Sequence, residues 1–195
     1  FLCLLLTFTL NAQLSGTYNV PGTYTSIVAA INDLNSLGVS SSVTIEVTSG
    51  YTETAPSGGY TLNAISGASS LNQIFFRKTG ALANPLITAA SGGSGTPGSA
   101  VQDGVWRFVG TDYVTIDGID IIDPNNSNPA TMEFGYGFFK ASATDGCQNN
   151  TIKNCVITLN RINNASGTAP ATDGSRGIDV VNALTGSHTS AVTVS

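Results

Sequence analysis

The 195-residue sequence predicts an all-β protein, a parallel β-solenoid led by one N-terminal α-helix, and three observations carry that prediction. Gly, Ser, Thr and Asn fill 84 positions while only 10% of residues are charged, against about 25% in ordinary soluble domains. Short alternating apolar runs broken by turn formers recur from residue 43 onward. Two segments 36 residues apart repeat one another, Thr115-Ile116-Asp117-Gly118-Ile119-Asp120-Ile121 and Thr151-Ile152-Lys153-Asn154-Cys155-Val156-Ile157.

The composition also excludes classes. Helical bundles and coiled coils need runs of Ala, Leu, Glu, Lys and Arg at helical period, which are missing. A hydrophobic share of 41% with a net charge of −5 argues against intrinsic disorder. Seven cations scattered along an acidic chain form no stripe for phosphate, so nucleic acid is not expected as a partner.

Taken in order, residues 1–12 open with the apolar run Phe1-Leu2-Cys3-Leu4-Leu5-Leu6-Thr7-Phe8-Thr9-Leu10 followed by Asn11-Ala12. Ten residues are too few for a transmembrane helix, so the run reads as the remnant of a secretory signal ending at Ala12, and no transmembrane span is expected. Residues 13–42 form an N-terminal cap. Within it Ile27, Val28, Ile31, Leu34 and Leu37 fall at helical spacing, which predicts a helix over 26–37, with Thr25 able to cap its start and Gly38 beyond its end. Residues 17–21 before it are short and β-like.

Residues 43–195 are expected to be solenoid rungs, running into an unfinished strand at 191–194. Val43 to Val47 alternates strictly, and further strands are predicted at 73–77, 85–88, 105–109, 113–116, 119–122, 137–140, 151–159 and 178–181. The 36-residue repeat places Ile116, Ile119 and Ile121 inside over Ile152, Cys155 and Ile157, with Asp117 and Asp120 outside beside Lys153 and Val156. Gly118 and Asn154 suit a tight corner because both tolerate left-handed backbone. A third copy begins at Thr193, and inserted loops such as 124–131 and 163–174 fall at one corner. The helix is placed to cover the first exposed edge of the stack.

Two stretches carry a resemblance. Thr23 to Asn32 followed by Val43-Thr44-Ile45-Glu46-Val47-Thr48-Ser49-Gly50-Tyr51-Thr52-Glu53 resembles the start of right-handed parallel β-helix proteins of the pectin lyase-like superfamily, in which a capping helix leads into a strand ending in a Gly-Tyr-x-Glu-like turn. Asp145 to Cys155 is similar to rung repeats of that superfamily, and the whole is similar to large surface proteins exported by Bacteroidota. The resemblance implies a right-handed β-helix in a secreted or cell-surface protein. It does not carry over the superfamily's catalytic residues. The stretches matching a methylesterase-like site, 134–138 and 160–164, have neither its Gln nor its Asp, and His188, the single histidine, lacks the flanking glycines and acidic pair of a polygalacturonase-like site.

Candidate chemistry is therefore sparse. Asp112, Asp117, Asp120 and Asp123 could gather around Ca²⁺ or supply an acid and base pair, but read best as solubilising one rung, with Lys153 over Asp117. Of the aromatic group Trp106, Tyr113, Phe134, Tyr136, Phe138 and Phe139, Trp106 with Phe138 or Phe139 is expected inside and Tyr136, between two glycines, exposed. Cys147 and Cys155 leave two alternatives, a bridge of the kind an exported protein permits or two free thiols, with Cys155 in an inward position. The Gly-rich run at 91–98 lacks the Lys of a phosphate loop. No catalytic, cofactor-binding or metal-binding residue is assigned and no cofactor is implied. The expected role is structural or adhesive: a monomer binding polysaccharide or surface glycan along the solenoid face. The alternative is the first part of a polysaccharide lyase, hydrolase or esterase whose catalytic rungs lie beyond residue 195.

Overall fold

The computed structural model describes residues 12–90, 104–124, 134–159 and 175–184. The elements, in chain order, are β1 (Leu14–Val20), α1 (Ile27–Leu37), β2 (Val39–Thr48), β3 (Thr52–Thr54), β4 (Tyr60–Leu62), β5 (Ile74–Thr79), β6 (Leu86–Thr88), β7 (Gly104–Val109), β8 (Val114–Asp117), β9 (Asp120–Ile122), β10 (Phe134–Lys140), β11 (Thr151–Lys153), β12 (Ile157–Thr158) and β13 (Arg176–Leu184). Among the described residues the protein is thus mostly β with one short helix, and the strand pairs are all parallel. Among the described residues no helix is long and apolar enough to cross a membrane. The apolar start, the third repeat copy and the 91–98 run lie outside the described residues.

The strands form three sheets: sheet one in the order β1-β2-β5-β8-β11, sheet two β12-β9-β6-β3 and sheet three β13-β10-β7-β4. From β2 onward the chain visits sheets one, two and three in that order, four times over. Segments 91–103, 125–133 and 160–174, which contain most of the expected inserted loops, lie outside the described residues; each is flanked in sequence by a strand of sheet two and a strand of sheet three.

Each inward position stacks on its counterpart one circuit later. In sheet one Ile45, Phe76, Ile116 and Ile152 share a row, and in sheet three Tyr60, Trp106, Tyr136 and Ile178 do. The register expected from the repeat holds: Thr151 pairs with Thr115, Ile152 with Ile116, Lys153 with Asp117 and Ile157 with Ile121. Gly118 and Asn154 take φ of 70° and 56° at their corners, the left-handed values only such residues adopt cheaply. The expected 151–159 strand is split in two by the Asn154 corner.

The helix runs one residue shorter than expected, because Ser26, and not Thr25, is its N-cap, accepting a hydrogen bond from Ala29 N–H at 3.2 Å. Ile27, Ala30, Ile31 and Leu34 are buried at the start of the core. Asn35 reaches past the helix to β4, donating to Thr61 O (2.8 Å) and accepting from Asn63 N–H (3.0 Å). Since β4 ends its sheet, that one amide satisfies an exposed edge. The cap is also less separate than its sequence implies: β1 joins sheet one, and β2 begins at Val39, four residues before the expected boundary.

Glu53 occupies the inward row held later by Ile87, Ile121 and Ile157. A carboxylate is tolerable there because the helix N-terminus meets it: Ile27 N–H donates at 2.8 Å, Val28 N–H at 3.4 Å and the Tyr51 hydroxyl at 2.7 Å. The Gly-Tyr-x-Glu turn therefore fastens the first circuit of strands to the helix.

Candidate functional site

The acidic residues are engaged one by one in holding strands together. Asp117 pairs with Lys153 at 3.2 Å and accepts from Asn154 Nδ2 at 2.7 Å. Asp120 Oδ1 accepts from Asn84 Nδ2 and from Val156 N–H, both at 2.8 Å, so it links three successive passages of the chain beside sheet two. Asp112 Oδ1 accepts from Gln148 N–H at 2.6 Å, and burial raises its pKa despite that bond. Asp123 is 9% exposed at the end of β9. Among the described residues no group of three His, Cys, Asp or Glu side chains could hold a metal ion. His188 lies outside the described residues.

The aromatic residues divide between two faces. Trp106 is fully buried against Tyr60, Phe76, Phe108 and Tyr136, with ring centroids 4.8 to 6.5 Å apart within that group. The expectation that Tyr136 is exposed is wrong: it is wholly buried, and its hydroxyl donates to Ile119 O at 3.4 Å. Of the glycines beside it, Gly137 faces the other way, while a side chain on Gly135 would meet Ile157 and the Gly177 carbonyl. A side chain on Gly137 would strike the rings of Phe134 and Phe139, which with Val181 form a second, smaller apolar cluster on the outer side of sheet three. Arg107 lies 5.9 Å over the Phe134 ring, and Arg176 pairs with Asp179 at 3.1 Å beside it. Phe138, in the Phe108 row, is the half-buried member of the pair and Phe139 the buried one.

No disulfide joins Cys147 and Cys155. The Cys147 thiol donates to Phe139 O at 3.3 Å and the Cys155 thiol to Lys153 O at 3.0 Å. Burial is the main cause that raises the pKa of Cys147, so less of it is thiolate at neutral pH. A free-thiol titration of the native protein is expected to show Cys147 reacting more slowly than in the unfolded chain. Equal rates would contradict its burial.

A cavity of about 520 Å³ opens beside β10, β11 and β13. Ile152, Ile178 and Val180, inward-row positions of the last circuit of described strands, line it together with Phe138 of the circuit before. Ile178 and Val180 are 51% and 71% exposed, so the cavity is the open end of the core rows, and its one charged lining residue is Lys140.

The outer face of sheet one is a different kind of surface. Thr17, Thr44, Phe75, Thr115 and Thr151 lie in one row across five strands, and Asn19, Glu46, Arg77, Asp117 and Lys153 in the next. Glu46 pairs with Arg77 at 2.7 Å as Asp117 does with Lys153. Phe75 sits between Ile74 and Phe76, both fully buried, yet points outward and is partly exposed. Sequence reasoning did not single out this row, because Ile74-Phe75-Phe76 is an unbroken apolar run. No protein-family model matches the chain, and no curated protein or solved structure matches it either.

Proposed function

We propose that this chain is part of a right-handed parallel β-helix of the pectin lyase-like kind, capped by α1, in a protein exported to the cell surface or beyond. Its role on this reading is structural and adhesive, binding a polysaccharide or surface glycan along a solenoid face. The repeated circuit through three sheets supports the β-helix, since a chain that returns to the same parallel sheet every three strands builds a coil. The apolar first ten residues support export.

The observation that carries the binding role is the outer face of sheet one, where five strands in register present hydroxyls, paired charges and one aromatic ring. Such a face offers an extended chain many weak contacts in a fixed period of about 4.8 Å. A glycan array probed with the whole 195-residue chain is expected to give binding to at least one polysaccharide class without cleavage. Turnover of a polysaccharide with no retention of intact polymer would replace this reading with that of an enzyme.

A further inference from the structure

We infer that the outer face of sheet one takes an uncharged, extended polysaccharide, with the Phe75 ring as its stacking platform. The inference rests on the proposed glycan-binding role and narrows it to one face and one ligand class.

Charge decides the class. Along the second row the signs alternate, Glu46, Arg77, Asp117, Lys153, and sum to zero. Glu46 is already paired with Arg77 at 2.7 Å, and Asp117 with Lys153 at 3.2 Å. A polyuronate, a sulfated glycan or a nucleic acid would gain no net attraction and would have to displace carboxylates already bound to these cations. A neutral polymer meets no such repulsion, and its hydroxyls can bond to the outer oxygens and nitrogens of the two pairs.

The adjoining row supplies the rest. Thr44 and Thr115 flank Phe75 in register, so hydroxyls stand on both sides of the ring about 4.8 Å away. The faces of an aromatic ring are electron-rich, and the C–H face of a pyranose is the neutral, weakly positive surface that matches one. Phe75 is the single aromatic residue in these two outer rows, which fixes where an extended chain would anchor.

Area argues against a second copy as the occupant. Reversed on itself, the charge row is self-complementary, so a two-fold pair is conceivable. Yet four strand spacings by five residues cover only roughly 320 Å² per copy, against about 800 Å² per partner in a stable interface. One polymer chain lying across the strands needs no more than this face provides.

Affinity electrophoresis of the whole chain tests the inference, because its net charge of −5 carries it through native gels. Gels would contain xyloglucan, galactomannan or mixed-linkage glucan as neutral probes, and polygalacturonate or alginate as acidic ones. Retardation is expected in at least one neutral gel and not in the acidic gels. Phe75→Ala should weaken it at least tenfold, and Phe75→Tyr, which keeps the ring, should retain it. Stronger retardation by the acidic polymers overturns the inference and leaves the glycan-binding role standing. Retardation by no polymer overturns that role itself. Neutral binding unchanged in both Phe75 variants, or a concentration-dependent dimer that Phe75→Ala abolishes, also overturns the inference. Circular dichroism of the variants distinguishes lost binding from lost fold, and should Phe75→Ala prove unfolded, Thr115→Ala must show the same direction of loss.

Discussion

Replacing Trp106 with alanine is expected to lower stability by about 3–5 kcal/mol, the usual cost of emptying a large aromatic site in a core. Trp106 is fully buried and central: Tyr60 and Tyr136 lie above and below it in the same row, with Phe76 edge-on at 5.4 Å and Phe108 at 6.4 Å. These neighbours belong to strands of two sheets, so they cannot close the gap by moving together. Its indole N–H has no hydrogen-bond partner among the described residues, a cost already carried by the native protein. Phe therefore should be a far better replacement than Ala. It removes that unpaired donor while keeping most of the ring area, and a loss under about 1.5 kcal/mol is expected. Urea unfolding followed by circular dichroism measures both, since the chain has one Trp and the variants lose its fluorescence. If the alanine variant lost less than the phenylalanine variant, the central packing described here would be wrong.

The second large effect belongs to Glu53→Ala. Its carboxylate accepts from the N–H groups of Ile27 and Val28 and from the Tyr51 hydroxyl, so its removal strands three donors at once. Hydrogen bonds to a charged group contribute about 1.5–3 kcal/mol, and a loss of about 2–4 kcal/mol is expected for the set because the helix end can partly rehydrate. Glu53→Gln keeps an acceptor oxygen without the charge and should lose less. The same group also shapes the alkaline limb of stability. Burial, and then the Glu53 carboxylate, push the hydroxyls of Tyr51 and Tyr60 above their ordinary pKa. Tyr60 faces that carboxylate without the geometry of a directed hydrogen bond, so for it burial and charge are the causes that count.

The sign follows from the direction of the shift. A tyrosine whose folded pKa is raised contributes its full stabilisation below the unfolded pKa of about 10, and that contribution is lost as pH climbs from there toward the folded value. Stability should be flat in this respect up to about pH 10 and then fall. Tyrosinate absorbance should rise together with unfolding, not ahead of it. In Glu53→Ala the absorbance of Tyr51 should begin to rise at a lower pH. A wild-type titration complete near pH 10 in the folded protein would contradict the burial of both rings.

Much of the architecture is legible in the sequence because it repeats. Thr115-Ile116 and Thr151-Ile152 stand in register as the 36-residue offset requires, and Lys153 meets Asp117 where the alignment puts it. The helix is legible from its apolar spacing. What escapes has physical reasons. Strands β3 and β4 are three residues each, too short for any period to show, and their places are set by the later strands β6 and β7 with which they pair. Tyr136 reads as a loop residue because glycines flank it, yet Gly137 makes room for Phe134 and Phe139 on the opposite side of the strand, and Gly135 for the Gly177 backbone and Ile157. Glu53 gives no local sign of facing inward, since the helix end that makes it tolerable lies 26 residues earlier. The outer row containing Phe75 goes unnoticed for a related reason: a partly exposed phenylalanine between two core residues looks, in sequence, like a third core residue.

The circuit through the three sheets has a kinetic side. Ile45 contacts Phe76, Phe76 contacts Ile116 and Ile116 contacts Ile152, separations of 31, 40 and 36 residues that do not grow along the chain. Most parallel sheets must close long loops late, which slows them. Here every closure has about the same entropic cost, and each added set of three strands leaves open edges on which the next can form. The segment fastened by Glu53 to the helix is synthesised before the strands that follow it, so a template exists before they emerge. Folding from that end is expected to be sequential, and Glu53→Ala should slow its first step more than its later ones.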